Sequence, residues 1–280
     1  MPETLAKPVR PWALRLLPPF PAVASRVIAL VNNDDTATSQ ISEIIRMDPS
    51  FTAEILRVAN SALFGTSREI RSVALAVSRL GLDRLKAMAT LVAINSMIRP
   101  ALRIEGLRRF WIHSLVSAIL TEESARVCRG PVETAYTAGL LHDLGTLGMM
   151  AAYPEEYNRM LEVSREFGFD LIQTERDLFE IDHCEAGAYL CEEWNFPEEI
   201  GVAIAKHHFD PVPGSKSLSG LVRVGWRLAD TLGYAAFPSE REWTYEELIA
   251  AIPGAERSWL GAGIEEAKGE LAKRLTSLPL

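Results

Sequence analysis

The fold class this sequence predicts is all-α, built from many short helices rather than an up-and-down bundle. Three observations carry that expectation. Apolar residues recur at helical spacing through most of the chain. No long alternating run of β-branched residues occurs. Cap-forming residues and prolines punctuate one short segment after another.

The elements follow in order. Pro21 opens a stretch with Val23, Val27, Leu30 and Val31 on one side. Thr38 or Ser39 can cap a short helix carrying Ile41, Ile44 and Ile45. Asp48-Pro49 breaks it, because the residue before proline is pushed out of the α region. Ser50 is placed to cap a longer helix through Phe51, Ile55, Val58 and Leu63, with Gly65 closing it in the left-handed conformation. Ser72 starts a helix that ends at Gly81, and Asp83 starts the next. Arg99-Pro100 marks a boundary. A long helix follows, roughly Gly106 to Cys128, and Gly130-Pro131 punctuates. Pro131 through Asp143 reads as a helix entering Gly145. Pro154 starts another, and Thr174 can cap the one after it. In Trp194-Asn-Phe-Pro197, Pro197 suits a first helical position. Asp210 to Ser215 is a loop. Helix resumes through Leu218, Leu221, Val222 and Leu228, and Thr244-x-x-Glu247 has capping-box spacing. The amphipathic end, Ile264 to Leu275, either packs back or pairs two copies.

Bulk properties narrow the function classes. The 280 residues are 48% hydrophobic and 24% charged, enough for a substantial core. The net charge of −8, without a basic block, argues against binding to a nucleic-acid backbone. It leaves open a phosphate ligand held through a metal. Three cysteines, Cys128, Cys184 and Cys191, form no C-x-x-C pair, so a disulfide framework is not expected. No apolar run approaches the roughly 20 residues that cross a bilayer, and the proline-broken start does not read as a secretory signal. A reducing, cytoplasmic location is the expectation.

The five histidines hold the chemistry: His113, His142, His183, His207 and His208. His142-Asp143 ends one apolar helix and His207-His208 ends another. His113 lies mid-helix, His183 follows Ile181-Asp182, and a late acid, Asp230, sits in Trp226-Arg-Leu-Ala-Asp230. Each has an ordinary explanation. His113 shares a stripe with Phe110, Val116 and Leu120 and reads as a packed core residue. Asp230 can pair with Arg227 at i+3 spacing. The paired histidines can complement a helix dipole. Jointly they suggest more, because several buried imidazoles and two acids without partners are costly. A divalent metal offers them a common partner.

The order His113, then His142-Asp143, then Asp230 resembles the ligand order of the HD phosphohydrolase superfamily. Adding His183 and His207-His208 makes it similar to the HD-GYP branch, which degrades cyclic-di-GMP. The N-terminal half is more specific. Leu17-Pro-Pro-Phe-Pro21, Ile45-Arg-Met-Asp-Pro49, Ile55-Leu-Arg-Val-Ala-Asn-Ser-Ala62 and Ala76-Val-Ser-Arg-Leu-Gly81 resemble the HDOD family. Ala138-Gly-Leu-Leu-His-Asp-Leu-Gly145 and Trp194-Asn-Phe-Pro197 extend the likeness over roughly residues 14 to 235. The resemblance implies a multi-helix HD-domain-like fold in four parts. These are a leader (1–13), an N-terminal helical part (14–100), an HD-like metal-site part (101–235) and a C-terminal helical extension (236–280).

The resemblance also implies a bacterial signal-transduction module acting mainly by binding a signalling partner or a phosphate-containing small ligand. The alternative is a metal-dependent phosphohydrolase acting on a nucleotide or cyclic dinucleotide. Either way the implied metal ligands are His113, His142, Asp143, His183, His207, His208 and Asp230; in the enzyme Asp143 bridges. The ions are divalent, one or two of Fe, Mn, Mg or Zn, and in the enzyme they activate the attacking water. Arg109 and Lys206 are candidates to orient phosphate. The chain departs from HD-GYP at three places. Thr146 stands where the substrate-contacting Lys is expected, no Gly-Tyr-Pro follows the paired histidines, and Arg109 replaces a third-metal glutamate. A weaker third reading makes the site redox- or iron-responsive, since Cys184 adjoins His183, although Cys184 and Cys191 also read as small core residues on one face.

Overall fold

The computed structural model describes residues 9–31, 38–61, 64, 69–238 and 241–276. Every regular element among these residues is a helix. A 3-10 turn at Trp12–Leu14 precedes α1 (Ala22–Val31), α2 (Thr38–Arg46), α3 (Pro49–Ala59), α4 (Val73–Leu80) and α5 (Leu82–Ile98). The second part holds α6 (Glu105–Val127), α7 (Val132–Leu141), α8 (Leu144–Ala152), α9 (Pro154–Phe167) and α10 (Leu171–Phe179). It continues with α11 (His183–Glu193), α12 (Glu198–Ala205) and α13 (Leu218–Ala229), whose end runs into a π turn at Asp230–Tyr234. The last two helices are α14 (Tyr245–Ala250) and α15 (Ile264–Thr276). No described helix is long and apolar enough to cross a membrane.

Several helix starts differ from the sequence expectation by a residue or more, for local reasons. Pro49 holds Asp48 extended, so Asp48 becomes the cap of α3 and accepts the Phe51 N–H at 2.9 Å; Ser50 lies inside the helix. Asp170, not Thr174, caps α10 by accepting the Gln173 N–H at 2.6 Å. Pro197 is the cap of α12 rather than its first residue. Thr38 already belongs to α2, so the residue that caps it lies outside the described residues, as do Leu63 and Gly65. Ser72 caps α4 and Gly81, at φ 84°, joins α4 to α5. The Thr244–Glu247 capping box is formed, and a second box, Asp182–Glu185, starts α11. Asn60, the C-cap of α3, staples the next segment by exchanging hydrogen bonds with the backbone of Ile70 at 2.7 and 2.8 Å.

Two helices organise the packing. α5 is buried on nearly all sides and lies against α1, α3 and α7. α6 is buried through its middle and lies against α7 and α13. One apolar core runs across the 3-10 turn Arg99–Ala101 that separates the two parts. α8 packs on α11, which packs on α12. α15 packs back on α6, burying Ala267, Leu271 and Leu275, and Arg274 reaches the buried Glu122 at 3.5 Å.

Candidate metal centre

The ionisable residues singled out in the sequence sit where helices end. His142 and Asp143 fill the gap between α7 and α8, His183 is the first residue of α11, His207-His208 follow α12, and Asp230 follows α13. Only His113 is mid-helix, on the inward face of α6. Two close approaches bring these ends together. A Cβ on Gly145 would stand 2.0 Å from the His183 carbonyl oxygen, so only glycine lets α8 lie against the start of α11. A Cβ on Gly225 would stand 2.1 Å from Thr121 Oγ1, which sets how closely α13 approaches α6.

The side chains converge in two linked groups. His113, His142 and Asp143 form one, with ligand atoms within 4.8 Å of one another; His183, Cys184, His207 and His208 form the other on the same criterion. Asp143 joins them. Its Oδ2 faces His142 Nε2 at 3.3 Å and His113 Nε2 at 3.8 Å, while its Oδ1 faces His207 Nε2 at 3.5 Å. Asp143 occupies the cap position of α8 without capping it, so both oxygens remain for the site.

Hydrogen bonds on the far side of four of the rings place a proton on Nδ1. His113 Nδ1 donates to the Tyr234 carbonyl at 3.0 Å, His142 Nδ1 to the Gly139 carbonyl at 2.8 Å, and His207 Nδ1 to the Ile204 carbonyl at 2.7 Å. His183 Nδ1 donates to Glu175 at 2.6 Å. An acceptor at Nδ1 requires the proton there, and a neutral ring then presents a bare lone pair at Nε2. The Nε2 atoms of His113, His142 and His207 all face the Asp143 carboxylate. The buried His142 Nε2 has no hydrogen-bond partner. His183 Nε2 and His208 Nε2 lie 2.8 Å apart. Imidazole nitrogens and a carboxylate gathered in a nearly dry place suit a cation, and this is a donor set that divalent transition metals take. The residues present fit the metal that the family resemblance implies.

Electrostatics divide the rings: against the effect of burial, the neighbouring Cys184 and Asp143 raise His207 to about 9 and Glu175 raises His183, while burial lowers His208. Burial, with the neighbouring His142, lowers the His113 imidazole to about 4, keeping it neutral. Burial, followed by the Asp143 charge, raises the Asp230 carboxyl to about 8. Asp230 Oδ1 lies 3.6 Å from His113 Nδ1, the nitrogen already committed to Tyr234, and Asp230 stands outside both tight groups. Its expected pairing with Arg227 is replaced by a different arrangement. Arg227 donates to the His208 carbonyl at 2.9 Å and the Arg223 carbonyl at 3.1 Å, and Trp226 Nε1 donates to the His207 carbonyl at 2.9 Å. α13 thus tethers the paired-histidine segment.

A cavity of about 400 Å³ opens over the groups, bounded by Phe110, Phe169, Phe237, Asp210, Arg227 and Arg241 among others. Arg109 and Lys206 do not line it. Arg109 is exposed on α6 and paired with Glu105; Lys206 is exposed beyond α12. Cys184 Sγ lies 3.7 Å from His207 Nδ1, whereas Cys191 is buried outside both groups.

Sequence reasoning missed Glu175. It is fully buried, accepts the His183 N–H at 2.9 Å as well as the ring proton, and takes the Tyr157 hydroxyl on its other oxygen. It holds the tautomer and orientation of His183, as carboxylates behind metal-bound histidines do. Its local sequence, Gln173 to Phe179, reads as an ordinary polar helix and carries no sign of this burial.

The family model described as HDOD domain matches residues 17–209. A curated relative from Treponema pallidum (strain Nichols), an uncharacterized protein, is 25% identical over 194 residues, 69% of this chain and 37% of its own length; the chain spans little more than a third of that relative. Among solved structures, a provisionally named phosphohydrolase from Shewanella amazonensis SB2B superposes with a TM-score of 0.69 at 25% identity, covering 95% of this chain and 96% of that one. A provisionally named signal transduction protein from Marinobacter aquaeolei VT8 gives 0.70 at 25% identity, covering 93% of this chain and 58% of its own.

Proposed function

The chain belongs to the HDOD domain family, and from that premise we propose that it is a signalling module that acts by binding. It holds divalent metal through His113, His142, Asp143, His183, His207 and His208, with Asp230 at the edge, and through the metal it holds a phosphate-bearing ligand whose presence a protein partner reads. One observation carries this reading: the Nε2 atoms of His113, His142 and His207 converge on the Asp143 carboxylate, their Nδ1 protons engaged elsewhere. The imidazole-rich donor set favours iron, manganese or zinc over magnesium. The names of the two structural neighbours, a phosphohydrolase and a signal transduction protein, are consistent with it.

Hydrolysis of the bound ligand is the second reading. It is favoured by the way Asp143 turns one oxygen to each group, the disposition expected of a carboxylate bridging two ions. Bound metal would supply Lewis acidity and an activated water; the chain's own residues hold the site together and exclude bulk water. Thr146, where HD-GYP relatives carry Lys, is fully buried and lines no part of the cavity, which weighs toward binding over turnover.

The test is elemental analysis of protein purified without chelator, followed by assay of a generic phosphodiester. Bound metal at one or two per chain without turnover supports the binding module. Turnover lost in Asp143→Ala supports hydrolysis. Absence of bound metal, persisting after incubation with Fe(II), Mn(II) and Zn(II), overturns both.

A further inference from the structure

Exposed apolar side chains gather on one helix pair. α10 follows α9 after a short turn at Gly168, which at φ 67° closes α9, and packs against it. Val163, Phe167, Phe169 and Leu178 lie on this pair and its turn, four of the ten large hydrophobic side chains that stay exposed among the described residues. The Phe167 and Phe169 rings stack at 5.7 Å. An open groove of about 730 Å³ runs between the helices. Met160 and Val163 line it from α9, Leu178 from α10 and Phe169 from the turn. A contiguous exposed apolar surface of this kind marks a place where something binds.

The same helix pair is acidic. Residues 154–180 carry eight carboxylates against three guanidiniums and no lysine, in a chain whose net charge is −8. One of the eight, Glu175, is buried and committed to His183 and Tyr157. Two of the guanidiniums do not line the groove and are engaged elsewhere: Arg176 with Asp182 and Glu185, Arg165 with the Ala236 carbonyl and the Phe237 ring. Among the described residues that line the groove, Glu156, Asp170 and Asp177 stand with one cation, Arg159. Asp170 and Asp177 accept from the Gln173 backbone and side-chain amides at 2.6 and 2.8 Å, neutral donors that leave the negative charge in place. Phe169 and Asp170 line both this groove and the cavity over the metal groups.

We propose that the α9–α10 groove docks an amphipathic helix of a partner protein, one whose apolar stripe is flanked by Lys and Arg. The apolar floor takes the stripe, the general mode of helix-in-groove recognition. The carboxylates along the groove set the sign of the flanking charges. A second copy of this chain is disfavoured as the occupant, because a two-fold interface would set the same carboxylates opposite one another. This rests on the partner half of the reading above and names the surface and the class of partner. The shared wall of Phe169 and Asp170 puts that surface beside the cavity whose occupancy the partner reads. Docking itself needs no metal.

Two fluorescent peptides of about 18 residues, long enough to hold a helix, test it on the full-length protein. Both carry leucine along one helical face; the remaining positions are lysine in one and glutamate in the other. Anisotropy titration is expected to show the lysine peptide binding ten-fold or more tightly than the glutamate peptide. Leu178→Gln removes an exposed apolar side chain from the groove and should weaken that binding at least five-fold. Glu156→Gln combined with Asp177→Asn should weaken it at least three-fold. Met47→Gln, at an exposed apolar side chain that does not line the groove, should leave it unchanged. Docking is overturned if the two peptides bind alike, if Leu178→Gln leaves binding intact, or if neither peptide binds. It is overturned in favour of a second copy if no peptide binds and the chain self-associates in a way that Leu178→Gln abolishes. Titrations with and without chelator separate the two readings. Metal bound without peptide removes the groove alone, and peptide bound by protein that takes up no metal leaves the groove standing while the metal reading fails.

Discussion

Glu175 Oε2 accepts the His183 Nδ1 proton at 2.6 Å, in a place where neither residue meets solvent. That contact decides which His183 nitrogen faces the site. Glu175→Gln can turn an amide N–H toward the ring and favour the opposite tautomer, with the proton on Nε2. Metal affinity is expected to fall by about 10- to 100-fold, the usual cost of losing such a partner. Tyr157→Phe, which removes only the hydroxyl behind Glu175, should cost less. Chelator-competition titration measures both, and an unaltered affinity in Glu175→Gln removes the positioning role.

Metal should also stabilise the fold, because its ligands come from α6, the α7–α8 junction, α11 and the segment after α12. At a free metal concentration one hundred times Kd, linkage supplies about 2.7 kcal/mol. For a chain of this size that corresponds to a rise in Tm of about 5 °C. The rise should vanish with chelator and be absent in Asp143→Ala. Scanning calorimetry with and without metal decides it; equal Tm values would count against a metal bound by the folded state.

Gly145 should tolerate no side chain. A methyl group there would stand 2.0 Å from the His183 carbonyl oxygen and 2.8 Å from the Gly187 nitrogen, both backbone atoms that cannot swing aside. Gly145→Ala is expected to destabilise by about 3 kcal/mol, the upper range of overpacking, and to reduce metal loading as α8 separates from α11. Gly269→Ala is the contrast. It lies within α15 with open space around its Cβ direction, so alanine should be neutral or stabilise by up to about 1 kcal/mol. Urea unfolding of the two variants separates a steric cause from a general intolerance of substitution.

Asp48 provides a control in the other half of the chain. Asp48→Ala removes the acceptor for the Phe51 N–H and should cost about 1 kcal/mol of stability. Metal affinity should not change, since α3 contributes nothing to the site. A loss of metal binding in this variant would show that the core shared by the two parts couples the α3 cap to the site.

Sequence alone determined what short-range chemistry encodes. The all-helical class, the Ser72–Gly81 helix, the Thr244 capping box and the inward stripe of α6 each depend on residues within a few positions of one another, where steric and hydrogen-bonding rules are strong. Most of the residues that converge at the candidate site were legible too, because imidazole and carboxylate stand out in apolar surroundings. Even locally, competition between neighbours went unread: Asp48 and Asp170, not Ser50 and Thr174, took the caps.

Tertiary structure decided everything that depends on distant groups meeting. His113 owes its proton position to Tyr234, 121 residues away. Glu175 sits in a polar helix and becomes a buried partner only because α11 starts against it. Arg109 and Lys206 carry the right charge but face solvent, whereas Arg227 and Arg241 reach the cavity. Spacing along a chain records which side of a helix a residue occupies; what that side will face depends on how helices pack, and here the bare glycines at 145 and 225 set the closest of those approaches.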